Sequence, residues 1–154
     1  MKNKGFTLIE MITVLVIIGV ISAITLPFFF SFYGGQELKT SAGIVVSVLR
    51  TAKSYSAAKN MDYQVGFVIP QSNKLEMTIY EEPAHTEEGK TEKLELSSNV
   101  TFSTTFTGDK VTFTPQGTNK GGTVTIDNTG KSKKIDVTVS AVTGRVKIWD
   151  IEEY

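Results

Sequence analysis

Lys4-Gly5-Phe6-Thr7-Leu8-Ile9-Glu10-Met11-Ile12-Thr13-Val14-Leu15 opens an apolar run that continues to about Tyr33. How this stretch is read decides how the rest of the chain is built. Between Lys4 and Glu37 its one charged residue is Glu10. The run exceeds the roughly 20 residues that a helix needs to cross a bilayer. No small-x-small pattern follows it, so it does not read as an ordinary secretory signal. The small residue in a cleavable position is Gly5, ahead of the run. Cutting there would remove Lys2 and Lys4 and leave the apolar helix in place, starting at Phe6. Lys2 and Lys4 before the run, with few basic residues just after it, put the N-terminus in the cytoplasm and the body outside.

Glu10 is the oddity of the run. A carboxylate among Leu8, Ile9, Met11, Ile12, Val14 and Leu15 is costly in lipid unless a partner neutralises it, which makes it a candidate functional group. The plainer reading is a helix-start acid favoured by the macrodipole near the membrane surface. A partner for the first reading exists if Gly5–Phe6 is cut, because cleavage creates a new amine that an axially shifted identical subunit can bring to Glu10.

Working outward, one helix is expected from Phe6 to about Ala58. Pro27 removes a backbone donor and should kink or loosen it, and Gly34-Gly35 is a second weak point. Beyond Gln36 the residues Leu38, Ala42, Val45, Leu49 and Ala52 recur at alternating spacings of four and three, one face to pack on a sheet. Lys39, Arg50, Lys53 and Lys59 are then expected mostly to face outward. After Asn60 the period becomes two. Tyr63–Ile69 and Lys74–Tyr80 read as a hairpin joined by Pro70-Gln71-Ser72-Asn73. Further strands are expected at Glu92–Leu96, Val100–Phe106, Lys110–Thr114, Gly122–Asp127, Lys134–Val139 and Arg145–Ile151. Gly-bearing turns such as Thr107-Gly108-Asp109 and Asn128-Thr129-Gly130 separate them. The fold class is α+β: a long N-terminal helix, transmembrane in its first half, packed on an antiparallel β-rich head.

Composition narrows the chemistry. Of 154 residues, 16 are basic and 16 acidic, and without Lys2 and Lys4 the formal side-chain charge is −2, so no global basicity argues for nucleic acid. The chain has no cysteine, which excludes disulfides and thiolate-bound metal. The one histidine, His85, sits in the acidic stretch Glu81–Gly89, where the spacing fits no ligand pattern and a solvated loop is the better reading. No Ser-His-Asp or Cys-His arrangement can be assembled, so an enzyme is not expected, nor a cofactor. Glycines 117, 121 and 122 precede no helix and read as turn residues rather than a phosphate loop. Asn99-Val100-Thr101 matches a glycosylation acceptor pattern of only three residues.

Gly5-Phe6-Thr7-Leu8-Ile9-Glu10, with its short Lys-bearing leader and Pro27 later in the run, resembles the class III signal of type IV pilins and type II secretion pseudopilins. The resemblance implies that a prepilin peptidase cleaves after Gly5 and methylates Phe6. It implies that Glu10 pairs with the N-terminus of another subunit during filament assembly, and that Pro27 lies where helices stretch within the filament. Residues 1–5 are then a leader, 6–33 the transmembrane and filament-core helix, 34–60 its amphipathic continuation and 61–154 the head. The run Lys110-Val-Thr-Phe-Thr-Pro-Gln-Gly117, with Gly121–Ile126, Lys134–Val139 and Thr143-Gly-Arg-Val146, resembles the GspH/FimT group of minor pilins and minor pseudopilins. Implied partners are the peptidase, other pilin or pseudopilin subunits, an inner-membrane assembly platform, and membrane lipid before assembly. The implied location is the inner membrane and then the filament.

One alternative function belongs to the head. Lys131, Lys133, Lys134, Arg145 and Lys147 cluster late in the chain, and if the last two strands pair, their side chains would converge at one edge, where phosphate backbones bind. Gly144-Arg145-Val146-Lys147 resembles the basic stretch with which some FimT-like minor pilins bind DNA, with lysine for the second arginine. Asp136, Asp150, Glu152 and Glu153 in the same region oppose this reading and favour a solvated sheet face. A third reading, a single-span protein with an unrelated outer domain, predicts no cleavage at Gly5.

Overall fold

The computed structural model describes residues 6–82, 86–87, 91–118 and 120–153, and for residues 27–34 and 86–87 the backbone alone. Gly5 and His85 lie outside the described residues. Helix α1 spans Leu8–Lys59, unbroken in its assignment across Pro27 and Gly34-Gly35. The chain divides into two compact units, Met1–Gly34 and Gly35–Tyr154.

In the first unit the apolar side chains from Phe6 to Leu26 are exposed, and the 19 residues Leu8–Leu26 are long and apolar enough to cross a membrane. Thr13 and Thr25 turn their hydroxyls back onto the carbonyls of Ile9 and Ile21, each at 2.8 Å. Such back-bonding lets a threonine lie in lipid without an unsatisfied donor.

In the second unit the expected stripe is the core. Leu38, Ala42, Val45, Leu49 and Ala52 are fully buried, joined by Val46 and Val48. Two sheets receive them. Strands β1 (Tyr63–Gln71), β2 (Lys74–Glu81), β3 (Thr86–Glu87), β4 (Glu92–Glu95), β6 (Lys110–Thr114) and β7 (Gly117–Thr118) form sheet A, ordered β3-β2-β1-β6-β7 with β4 also on β2. Strands β5 (Val100–Thr104), β8 (Gly122–Asn128), β9 (Lys133–Val139), β10 (Val146–Ile148) and β11 (Glu152–Glu153) form sheet B, ordered β10-β9-β8-β5 with β11 also on β9. All pairings are antiparallel. Period-two alternation buries Tyr63, Val65 and Phe67 of sheet A and Ile135, Val137 and Val139 of sheet B against the helix stripe and one another.

Three expectations need correction. Strand β1 runs on through Pro70 to Gln71, leaving Ser72-Asn73 as the turn; a bulge between Val68 and Gln71 absorbs the donor that Pro70 lacks. Instead of one strand over Arg145–Ile151, β10 and β11 form, because the register on β9 slips by one residue between Ile148↔Val137 and Glu152↔Lys134. The slip tucks Ile151 against the core. Strand β5 ends at Thr104, short of Phe106, whose ring turns into the core and stacks on Phe67 at 5.3 Å. Of the helix cations, Lys39, Arg50 and Lys59 are exposed as expected, and Lys53 is half-buried, its Nζ donating to the Thr143 carbonyl at 2.9 Å.

Candidate functional site

Two groups of residues carry chemistry, and each lies within one unit. At the start of α1, Thr7 precedes the first helical residue and Glu10 follows three positions later, the spacing at which two side chains can satisfy each other's free amides. The Thr7 amide and hydroxyl both donate to Glu10 Oε2 at 2.8 Å, and the Glu10 amide donates to Thr7 Oγ1 at 3.3 Å. Within the free chain, then, the carboxylate of the apolar run is held by its own helix end. Beside it Phe6 is 84% exposed. Pro27 lies inside α1 with helical backbone. The Thr7 partnership is a third role for Glu10 beside the macrodipole and a neighbour's amine, and it is legible in the Thr-x-x-Glu spacing.

The second group is the basic cluster, which the structure splits. Lys133 and Lys134, at the start of β9, face Glu153 and Glu152 of β11 across the ladder, at 2.9 Å and 3.0 Å. The hydrogen bond and charge of Glu152 raise the Lys134 pKa above the ordinary lysine value, with lesser help from Asp136 and Asp127. Arg145 and Lys147 lie beyond the other end of this contact, beside Thr138 and Ser140. Along a strand, Lys134 and Thr138 are separated by roughly 13 Å. The expected convergence of all five cations at one edge therefore fails: Lys133 and Lys134 are paired with β11, which follows the register slip, and Lys131 sits in the Thr129–Lys131 turn. What sequence reasoning missed is Trp149. Its Nε1 donates to Thr138 Oγ1 at 3.0 Å, and Lys147 Nζ lies 3.4 Å from its ring centroid.

The two pieces of sequence that resemble the minor-pilin head meet in space. A Cβ on Gly144, at φ +59°, would lie 3.3 Å from Gly117 and from the Phe113 ring, and one on Gly117 would strike the Val142 carbonyl oxygen at 2.2 Å. Among the described residues, no group of three or more metal-ligating side chains is assembled.

The family model for the prokaryotic N-terminal methylation motif matches residues 1–26, and that for type II transport protein GspH matches residues 43–143. Among solved structures, the type IV minor pilin FimU of Pseudomonas aeruginosa is similar over 77% of this chain and 92% of its own, with 16% identity and a TM-score of 0.61. The minor pseudopilin EpsH from the type 2 secretion system of Vibrio cholerae is similar over 74% of this chain and 97% of its own, with 13% identity and a TM-score of 0.57. At such identities the likeness is one of fold. No curated protein sequence matches the chain.

Proposed function

Since the chain belongs to the type II transport protein GspH family, a family of minor pilins and pseudopilins, we propose that it is cut at Gly5–Phe6, methylated at Phe6 and built into an extracytoplasmic filament through Glu10. Membership already implies processing by a prepilin peptidase, assembly with other pilin subunits and a membrane-anchored, filament-associated life. The finer reading adds an inner-membrane anchor with its N-terminus in the cytoplasm, contact with lipid before assembly, and extraction by an inner-membrane assembly platform. The subunit's work is structural, and no catalytic role is assigned to it. Residues 6–33 are taken as the anchor and filament core, 34–60 as the continuation that carries the head, and Pro27 as the point where the core helix can stretch.

The observation that carries this reading is Glu10: the one charge in the apolar stretch between Lys4 and Glu37, inside a matched methylation motif, and held, among the described residues, by Thr7. Before assembly the Thr7 amide and hydroxyl satisfy it. On assembly the amine of a neighbouring Phe6 offers a full opposite charge, which in lipid is the stronger partner. Exchange of the first partner for the second sets the axial register between subunits. Replacing Glu10 by alanine or valine tests this. The variant is expected to be cleaved and to remain in the membrane, yet to be nearly absent from sheared filaments; incorporation at the level of the unaltered chain would refute the role.

The DNA-binding alternative gains no support from the family match or the solved neighbours. Ion pairing of Lys133 and Lys134 with Glu153 and Glu152 removes part of its charge.

A further inference from the structure

On the face of sheet B turned away from the core, Thr138 and Ser140 of one strand and Arg145, Lys147 and Trp149 of the next line a groove of about 270 Å³. The indole is fixed in it, by the Thr138 hydroxyl at its nitrogen and by Lys147 over its face. Thr138 is itself held, 3.3 Å from Thr123 Oγ1. Even so, Trp149 is 49% exposed. Among the described residues no carboxylate pairs with Arg145 or Lys147, whereas the two lysines at the start of the neighbouring strand, Lys133 and Lys134, are each matched with a glutamate. The fold thus neutralises one pair of cations and leaves the second beside an immobilised, half-open tryptophan.

We propose that this groove docks an acidic segment of a neighbouring filament subunit's head: a Glu or Asp carboxylate held between Arg145 and Lys147, with an adjacent apolar side chain laid on the open part of Trp149. The inference rests on the reading of the chain as a filament subunit. Tryptophan and arginine in a preformed pocket are the residue types that dominate protein interfaces, because they lose little freedom on binding and bury much area. A protein carboxylate fits better than a polyanion. Nucleic acid gains affinity from each further phosphate neutralised, and so needs a track of cations. Here the two cations are followed along the same face by Asp136, and Lys134 beyond it is already taken up by Glu152, so no track of free cations continues. The groove holds a side chain or two rather than a sugar-phosphate backbone.

Trp149 is the chain's one tryptophan, so its emission reports on this groove alone. The full chain, purified in detergent from cells that process prepilins, would be titrated with a peptide of alternating Glu and Val, with its Gln counterpart, and with a single-stranded oligonucleotide. The expected result is a saturable emission change with the acidic peptide, weakened by salt, and with affinity lowered about tenfold when Arg145 and Lys147 are both replaced by alanine. The site is overturned by no response to the acidic peptide, by an equal response to the Gln peptide, by an unchanged affinity in the double variant, or by stronger binding of the oligonucleotide. Intact mass of the same preparation separates the two levels. A chain beginning at Phe6 that fails these titrations removes the docking site alone, and a chain still beginning at Met1 removes the filament reading beneath it.

Discussion

Glu10 and Thr7 illustrate how much a single pair of residues can decide. The reciprocal bonds between them close the first turn of α1, where four amides would otherwise lack partners. In water such amides bind solvent; at a membrane surface they bind little else, so the cap matters more. Thr7→Val keeps the shape and removes the hydroxyl. It is expected to speed amide exchange over Leu8–Met11 in the detergent-held chain while leaving the head unchanged, and unchanged exchange would show that the cap does not hold the turn. Gly117 shows the same economy in the head. An added Cβ would meet the backbone oxygen of Val142, so the 142–144 turn or β7 has to shift. Gly117→Ala should destabilise the folded head by about 1–3 kcal/mol in a denaturant titration, the usual cost of overpacking. A loss below the noise of that titration would mean that the contact relaxes freely. Glu10 and Gly117 stood out in the sequence. The reason for Gly117 did not, because its contact is with a turn 25 residues further along and no local pattern encodes that distance.

The helix and the last strands differ in how openly their sequences state their structure. The stripe of Leu38, Ala42, Val45, Leu49 and Ala52 was legible because burial on one side of a helix forces a three-four spacing. Leu49 is fully buried. Leu49→Ala should cost about 2–5 kcal/mol of head stability, through lost burial and the cavity left behind; a cost under about 1 kcal/mol would mean that the helix stripe is not the core. Strands β10 and β11 were not legible as two. Their alternation reads as one run, and the slip between them depends on Ile151 reaching the core and on two glutamates meeting two lysines of β9. Electrostatics give this pairing a pH signature. Because Glu152 raises the Lys134 pKa in the folded chain, the pair's contribution is complete below the ordinary lysine value and is lost as pH rises through the elevated one. A side-chain NMR titration of Lys134 should show its midpoint fall in Glu152→Gln, and a midpoint that stays in place would contradict the pairing. This exposed pair steers the last strand more than it stabilises the head.

At the scale of the molecule, the sequence divides its apolar residues between two solvents. Those before Leu26 are exposed around a helix and suit lipid or the helices of other subunits; those after Gly35 line one face and close a two-sheet core. That division was legible from charge alone, since one acid interrupts the first stretch and basic and acidic residues fill the surface of the second. The order of strands in the two sheets was not, because antiparallel strands of similar length and alternation can pair in many orders. Nor was the fate of the basic cluster, which turned on a one-residue slip. The account as a whole stands on processing: the leader must be removed before Glu10 can meet a neighbour's amine. Intact mass with N-terminal sequencing, on protein recovered from its native membrane or from sheared filaments, tests that most directly. The account predicts a chain beginning at Phe6 and carrying one added methyl group; a chain still beginning at Met1, in cells that process other prepilins, would contradict it.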